Sequence, residues 1–167
     1  SFYNQIQEMI KHEEYQEALN KLEDFIASQP EDLRSIALCI ECFTHLNKYK
    51  EAENFYNSLN KESQNDKFIK SAYQKLKIKE KNREGPSLEN LKQKFQNDQN
   101  NINNITKLAD KYFSENMFDE CFALLLDNYK NHKDKIKKKL LEFFEALGNE
   151  HGKTIEYRRK FSSIIFS

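Results

Sequence analysis

Valine and tryptophan are absent from the 167 residues, and there are only three glycines and two prolines. With isoleucine the only common β-branched residue and few helix breakers, a sheet-rich fold is excluded and helices are expected throughout. Neither sign of charge is in excess, with 27 basic and 27 acidic residues. That excludes a strongly basic nucleic-acid binder, although local patches remain open. No run approaches the roughly 20 apolar residues of a membrane span, and no signal-peptide pattern opens the chain. Three cysteines, an odd count, suit a reducing cytosol better than a disulfide framework. A cytoplasmic protein with no membrane or nucleic-acid partner is expected. A glycine-rich phosphate loop, H-E-x-x-H and G-x-S-x-G are all missing. The four histidines have no acidic or nucleophilic partner at a recognisable spacing. The reading is therefore not an enzyme, with no catalytic residue, no cofactor and no metal.

What is present is a repeated phrase. Tyr15-Gln16-Glu17-Ala18 returns as Tyr49-Lys50-Glu51-Ala52, with the two alanines 34 residues apart. Before the first phrase stand Phe2, Gln5, Ile6 and Met9; before the second, Ile36, Cys39, Ile40 and Phe43 hold the same places. Large residues follow each alanine at Leu22 and Tyr56, and Pro30 ends the first unit. This register resembles the tetratricopeptide repeat, a helix–turn–helix unit of about 34 residues. In such a unit the alanine lets two helices cross closely while large residues fill the gap to the next pair. The resemblance implies an all-α tetratricopeptide-repeat (TPR-like) α-solenoid, here of about ten helices in five antiparallel pairs.

Helices are expected at about 2–12, 14–28, 32–46 and 48–60, with tight corners at His12-Glu13 and Asn47-Lys48. These make two repeat units over residues 1–64. Residues 65–100 read as a degenerate, stretched repeat. A helix at 66–82 carries Phe68, Ile69, Ala72, Tyr73 and Leu76 on one face, Gly85-Pro86 breaks it, and Ser87 starts a shorter helix to about Gln96. Residues 101–167 hold a third good unit and a terminal pair. The unit is marked by Ile105, Leu108, Ala109, Tyr112, Phe118 to Cys121, and Leu125. The pair at 134–147 and 152–165 has Ile136, Leu140, Phe143, Phe144 and Leu147 on one stripe, then Ile155, Phe161, Ile164 and Ile165. Gly148 is a natural stop between them, and Phe144 at a small-residue position marks the pair as a cap. The three segments are expected to form one continuous array. The opening Ser-Phe, without methionine, suggests a piece of a longer protein.

Cys39-x-x-Cys42 sits in mid-helix rather than between a strand and a helix N-terminus, so Cys39 fits a small buried hydrophobe better than a redox thiol. With His45 the pair gives three potential zinc ligands at i, i+3 and i+6, which drift round the helix and need a fourth from elsewhere. Lys130, Lys133, Lys135, Lys137, Lys138 and Lys139, with Arg158, Arg159 and Lys160, read as a solvated face partly balanced by Asp127, Asp134 and Glu142. Repeat arrays bind partners along the face lined by the first helix of each pair. Mapped from the repeat register, that face comprises Tyr3, Gln7, Ile10, Arg34, Ala37, Glu41, Asn103, Thr106, Asp110 and Phe113. Tyr3 and Gln7 stand where the Lys and Asn of a chaperone-tail carboxylate clamp would be, which argues against that specialised function.

The closing phrases are more specific: Cys121-Phe-Ala-Leu-Leu-Leu-Asp127, Lys137-Lys-Lys-Leu-Leu-Glu-Phe-Phe-Glu-Ala-Leu-Gly148 and Tyr157-Arg-Arg-Lys-Phe-Ser-Ser-Ile-Ile-Phe166. They resemble the C-terminal region of bacterial thioredoxin-like co-chaperones, the chaperedoxin family. That resemblance covers nearly the whole chain. It implies a module that binds protein clients or chaperones in protein folding and cell redox homeostasis, linked to an upstream thioredoxin-like domain. No redox residue carries over, because Cys39 and Cys42 do not match that domain's motif in context. The alternative is a generic scaffold that assembles one specific protein complex.

Overall fold

The fold is that of a computed structural model describing residues 1–167, and it is all-helical. In chain order the helices are α1 (Phe2–Lys11), α2 (Tyr15–Ser28), α3 (Leu33–His45), α4 (Tyr49–Asn57), α5 (Lys61–Gln64), α6 (Lys67–Asn82), α7 (Leu88–Asn97), α8 (Ile102–Ser114), α9 (Phe118–Asp127), α10 (Lys133–Leu147) and α11 (Gly152–Ile165). A 3₁₀ turn at Tyr129–Asn131 precedes α10. This is the tetratricopeptide-like α-solenoid class expected from the sequence, with one helix more than the ten anticipated. The addition is α5, a single polar turn. Asn60 caps it by accepting a hydrogen bond from the Ser63 amide at 2.8 Å, and Gln64 donates to the Tyr56 carbonyl at 3.1 Å. Lys61-Glu62-Ser63-Gln64 carries no apolar periodicity, so the pattern could not announce it. No helix is long and apolar enough to cross a membrane.

The corners repeat as faithfully as the helices do. Glu13, Asn47 and Asn116 all adopt left-handed backbone, with φ of 62°, 60° and 60°. At each, the residue's own amide bonds the carbonyl three back, and the next amide bonds the carbonyl five back. Thus Glu13 pairs with Ile10 and Glu14 with Met9, Asn47 with Thr44 and Lys48 with Phe43, Asn116 with Phe113 and Met117 with Tyr112. This double closure satisfies the last carbonyls of the first helix and reverses the chain into the second. Gly148, at φ 92°, follows the last residue of α10 and ends it at the Phe144 carbonyl. Ser87 caps α7, accepting from the Asn90 amide.

The chain comprises two compact units, Ser1–Lys77 and Ile78–Ser167, with α6 running through the division. In the first unit Ile6, Met9, Ala18, Leu19, Leu22, Leu38, Cys39 and Cys42 form one core, and Ile36, Ala37, Ile40, Tyr49, Ala52, Ile69, Ala72 and Leu76 form a second. The second unit has a single larger core built on α8 to α11, with Phe122, Phe143 and Phe144 at its centre. Ala18 and Ala52 are both fully buried. Ala52→Leu therefore inserts three heavy atoms where α3 and α4 meet, and is expected to cost on the order of 1–3 kcal/mol by overpacking. An unchanged urea midpoint would contradict the alanine register.

The terminal pair differs from expectation at two positions. Ile155 and Ile165 are 49% and 42% exposed, while Thr154, Tyr157 and Phe161 face inward. The buried face of α11 is therefore rotated from the isoleucine stripe. Phe122 stacks on Tyr157 at 4.8 Å, and Tyr157 donates to the Asp119 carboxylate at 2.6 Å, which fixes that rotation.

Candidate functional site

In the first unit the first helices of three successive pairs are α1, α3 and α6. Tyr3, Gln7 and Ile10 follow one another on α1 at helical spacing, as do Arg34, Ala37 and Glu41 on α3. Gln7 is exposed, Tyr3, Ile10, Arg34 and Glu41 are half-buried, and Ala37 is buried. At one end of this face the Arg34 guanidinium lies 4.4 Å from the centre of the Tyr3 ring and 5.2 Å from that of Phe68 on α6. Tyr3 in turn donates its hydroxyl to Asp32, which also accepts from Ser35 Oγ at 3.1 Å. The Asp32 hydrogen bond raises the Tyr3 hydroxyl above its ordinary pKa, with burial adding to the effect. The helical stripe of α6 places Phe68 in the core; its i+34 relation to Arg34 is the signal that puts it on the same face as Arg34.

Further along α3, Glu41 Oε1 accepts from Lys75 Nζ of α6 at 3.1 Å and lies 3.7 Å from His45 Nε2. Tyr15 stacks flat on the His45 ring at 4.5 Å. Burial alone would raise the Glu41 carboxyl, but Lys75 and His45 outweigh it and hold it at about 2. A depressed carboxyl stabilises the fold fully above its ordinary value of 4.5, and that contribution is lost as pH falls toward about 2. Glu41→Gln is accordingly expected to cost about 2–3 kcal/mol near neutrality and almost nothing near pH 2. Urea midpoints measured across that range check this; parallel curves for the two proteins would contradict it.

The remaining expected face residues belong to the second unit, and two of them are not available to a partner. Phe113 is 4% exposed, stacked on Phe143 at 4.5 Å and edge-on to Phe118 at 5.1 Å. Asp110 is 3% exposed and neutralised on both oxygens, by Lys139 Nζ at 2.8 Å and Lys81 Nζ at 3.2 Å. The repeat register puts both on the expected partner-facing stripe, but the neighbouring α10 covers them. Asn103 is exposed, and half-buried Thr106 donates to its own helix at the Ile102 carbonyl, 3.0 Å away. Lys139, read as part of a solvated basic face, instead points inward to Asp110. Burial pulls its amine down, but Asp110 and Glu142 more than compensate and raise it.

Cys39, Cys42 and Cys121 are free and buried. Burial pushes the Cys39 thiol up to about 12, and raises the thiols of Cys42 and Cys121 as well, so all three stay protonated near neutrality. No three His, Cys, Asp or Glu side chains converge in a way that could hold a metal ion. The large apolar side chains left exposed are Leu141, Ile155, Ile165 and Phe166, all on α10, α11 and the residue that follows.

Helix pairs with alanine crossings, repeated left-handed corners and an i+34 ladder between first helices define a helical-hairpin repeat protein. Tetratricopeptide-repeat families match residues 9–76 and residues 81–166, the latter just over half of the chain. The chain belongs to the tetratricopeptide-repeat family, whose domains generally mediate protein–protein interaction. No curated protein matches it. Among solved structures it is similar to a domain of a protein of unknown function from Vibrio parahaemolyticus, at 23% identity over 98% of this chain and 97% of that one, with a TM-score of 0.46.

Proposed function

We propose that the chain is a non-catalytic protein-binding module whose first unit takes up segments of partner proteins on the face built by α1, α3 and α6. The observation that carries this reading is the Tyr3–Arg34–Phe68 stack, to which each of three successive first helices gives one half-buried side chain. Half-buried aromatic rings and a guanidinium supply large contact areas at small conformational cost, which is what binding hot spots use. The face continues past half-buried Ile10, which offers apolar contact without tying specificity to one sequence.

The narrower reading is the client- or chaperone-binding part of a thioredoxin-like co-chaperone in a reducing cytoplasm. It is supported by the resemblance of the closing phrases from Cys121 to Phe166, by the buried free cysteines, and by the exposed Leu141, Ile155, Ile165 and Phe166. Exposed apolar side chains of that kind suit contact with unfolding chains. A scaffold for one complex would bind a single folded partner and leave unfolded proteins alone.

The test is suppression of aggregation of unrelated heat-unfolded proteins, with calorimetry on unfolded clients. Tyr3→Ala is expected to weaken client binding by roughly tenfold, about 1.4 kcal/mol, with the urea midpoint little changed. Client binding unaffected by Tyr3→Ala would move the site elsewhere. No suppression, with tight binding to one folded protein, would favour the scaffold.

A further inference from the structure

We infer that the face of the first unit selects segments in which an acidic side chain sits beside an apolar one, with Arg34 receiving the carboxylate; this rests on the proposed binding face. Arg34 carries five N–H donors, yet it makes no hydrogen bond and no ion pair within the chain. Its guanidinium carbon lies over the Tyr3 and Phe68 rings, 4.4 Å and 5.2 Å from their centres. Stacking of this kind immobilises a guanidinium through its faces and leaves its N–H edge free, the geometry that suits a carboxylate gripped through two parallel hydrogen bonds.

The nearby acids keep their charge but give their hydrogen bonds to other donors. Asp32, two residues away, accepts from Tyr3 and Ser35. Asp66 accepts from the Phe68 and Ile69 amides at the start of α6, at 2.9 Å and 3.3 Å. Glu41 is paired with Lys75. A second cation, Lys67, lies 4.9 Å from the centre of the Phe68 ring and also lacks an acidic partner. Two cations without an ion-pair partner therefore flank one half-buried aromatic ring, so a carboxylate of a bound segment can take N–H donors that Asp32 and Asp66 leave open, and the ring favours an apolar neighbour.

The carboxylate is a side chain in the middle of a segment rather than a chain terminus. Glu41 lies about two turns beyond Arg34 on α3 and is half-buried at the surface, so an extended segment passes the guanidinium instead of ending at it. Gln7 on α1, exposed one turn beyond Tyr3, is placed to meet the backbone of such a segment.

The experiment is fluorescence anisotropy on the full chain with labelled peptides carrying a central Leu-Glu-Phe or Leu-Gln-Phe. Both peptides are acetylated and amidated so that the glutamate is the sole carboxylate. The glutamate peptide is expected to bind about fivefold or more tightly than its glutamine counterpart, and the difference should shrink as salt rises. Arg34→Lys keeps the charge but loses the stacked planar donor, and should remove most of the preference; Arg34→Gln should abolish it. Urea midpoints of both variants near that of the parent protein establish that the fold survives. Equal binding of the two peptides, with both weakened by Tyr3→Ala, overturns the inference and leaves the binding face standing. A preference that persists in Arg34→Gln, or that requires a free C-terminal carboxylate, also overturns it. Failure of every peptide to bind removes the face and the inference together.

Discussion

Phe122→Ala is expected to lower the unfolding free energy by about 4 kcal/mol, a large share of the stability of an ordinary domain. Phe122 is fully buried in the core of the second unit. It stacks on Phe144 at 5.2 Å and Tyr157 at 4.8 Å, and meets Phe143 edge-on at 6.3 Å. One ring thus joins α9 to both helices of the terminal pair. Removing it forfeits its own transfer energy and opens a cavity among three rigid rings, which relax poorly into the gap. Urea denaturation followed by circular dichroism measures the loss. Phe166→Ala is the comparison: at 86% exposure it should change stability by no more than about 0.5 kcal/mol. Similar losses for the two variants would mean that the core is assembled differently.

Asp110→Ala is expected to cost about 3 kcal/mol or more, because it leaves Lys139 with its side chain 13% exposed and its closest partner gone. Glu142, at 3.4 Å, remains and limits the damage. The same physics predicts partial recovery in a double variant. Asp110→Leu with Lys139→Met replaces the buried pair by apolar groups of similar size, and should be more stable than Asp110→Ala. Thermal and urea unfolding of the three proteins decide the point. Asp110→Ala with a midpoint unchanged from the parent would show that the carboxylate is solvated, as the repeat register alone suggested.

The contrast between Asp110 and Glu41 shows where the sequence is legible. The repeat register puts both on its expected partner-facing stripe, and both are acids on first helices. Each receives a lysine from a later element, Lys75 for Glu41 and Lys139 with Lys81 for Asp110. Glu41 stays half-buried at the surface, whereas α10 closes over Asp110 and Phe113. Lys139 ends a run of three lysines, with Lys130, Lys133 and Lys135 just before it, so its local context says surface. Only a contact 29 residues away turns it inward.

Spacing alone determined every helix but α5, the alanine crossings at Ala18 and Ala52, and the corners at Glu13 and Asn47. The cap at Ser87 and the stop at Gly148 were legible for the same reason. These features are set by interactions within one or two turns, where a 3.6-residue period, a capping hydroxyl or a left-handed residue decides the outcome locally. Tertiary structure decided which side of each helix is covered. It buried Asp110 and Phe113, turned Ile155 and Ile165 outward, and brought Tyr3, Arg34 and Phe68 into one stack. Those outcomes depend on how helices remote in sequence rotate against one another, and that rotation is fixed by the packing of large rings such as Phe122 and Tyr157, a property of the assembled core rather than of any single segment.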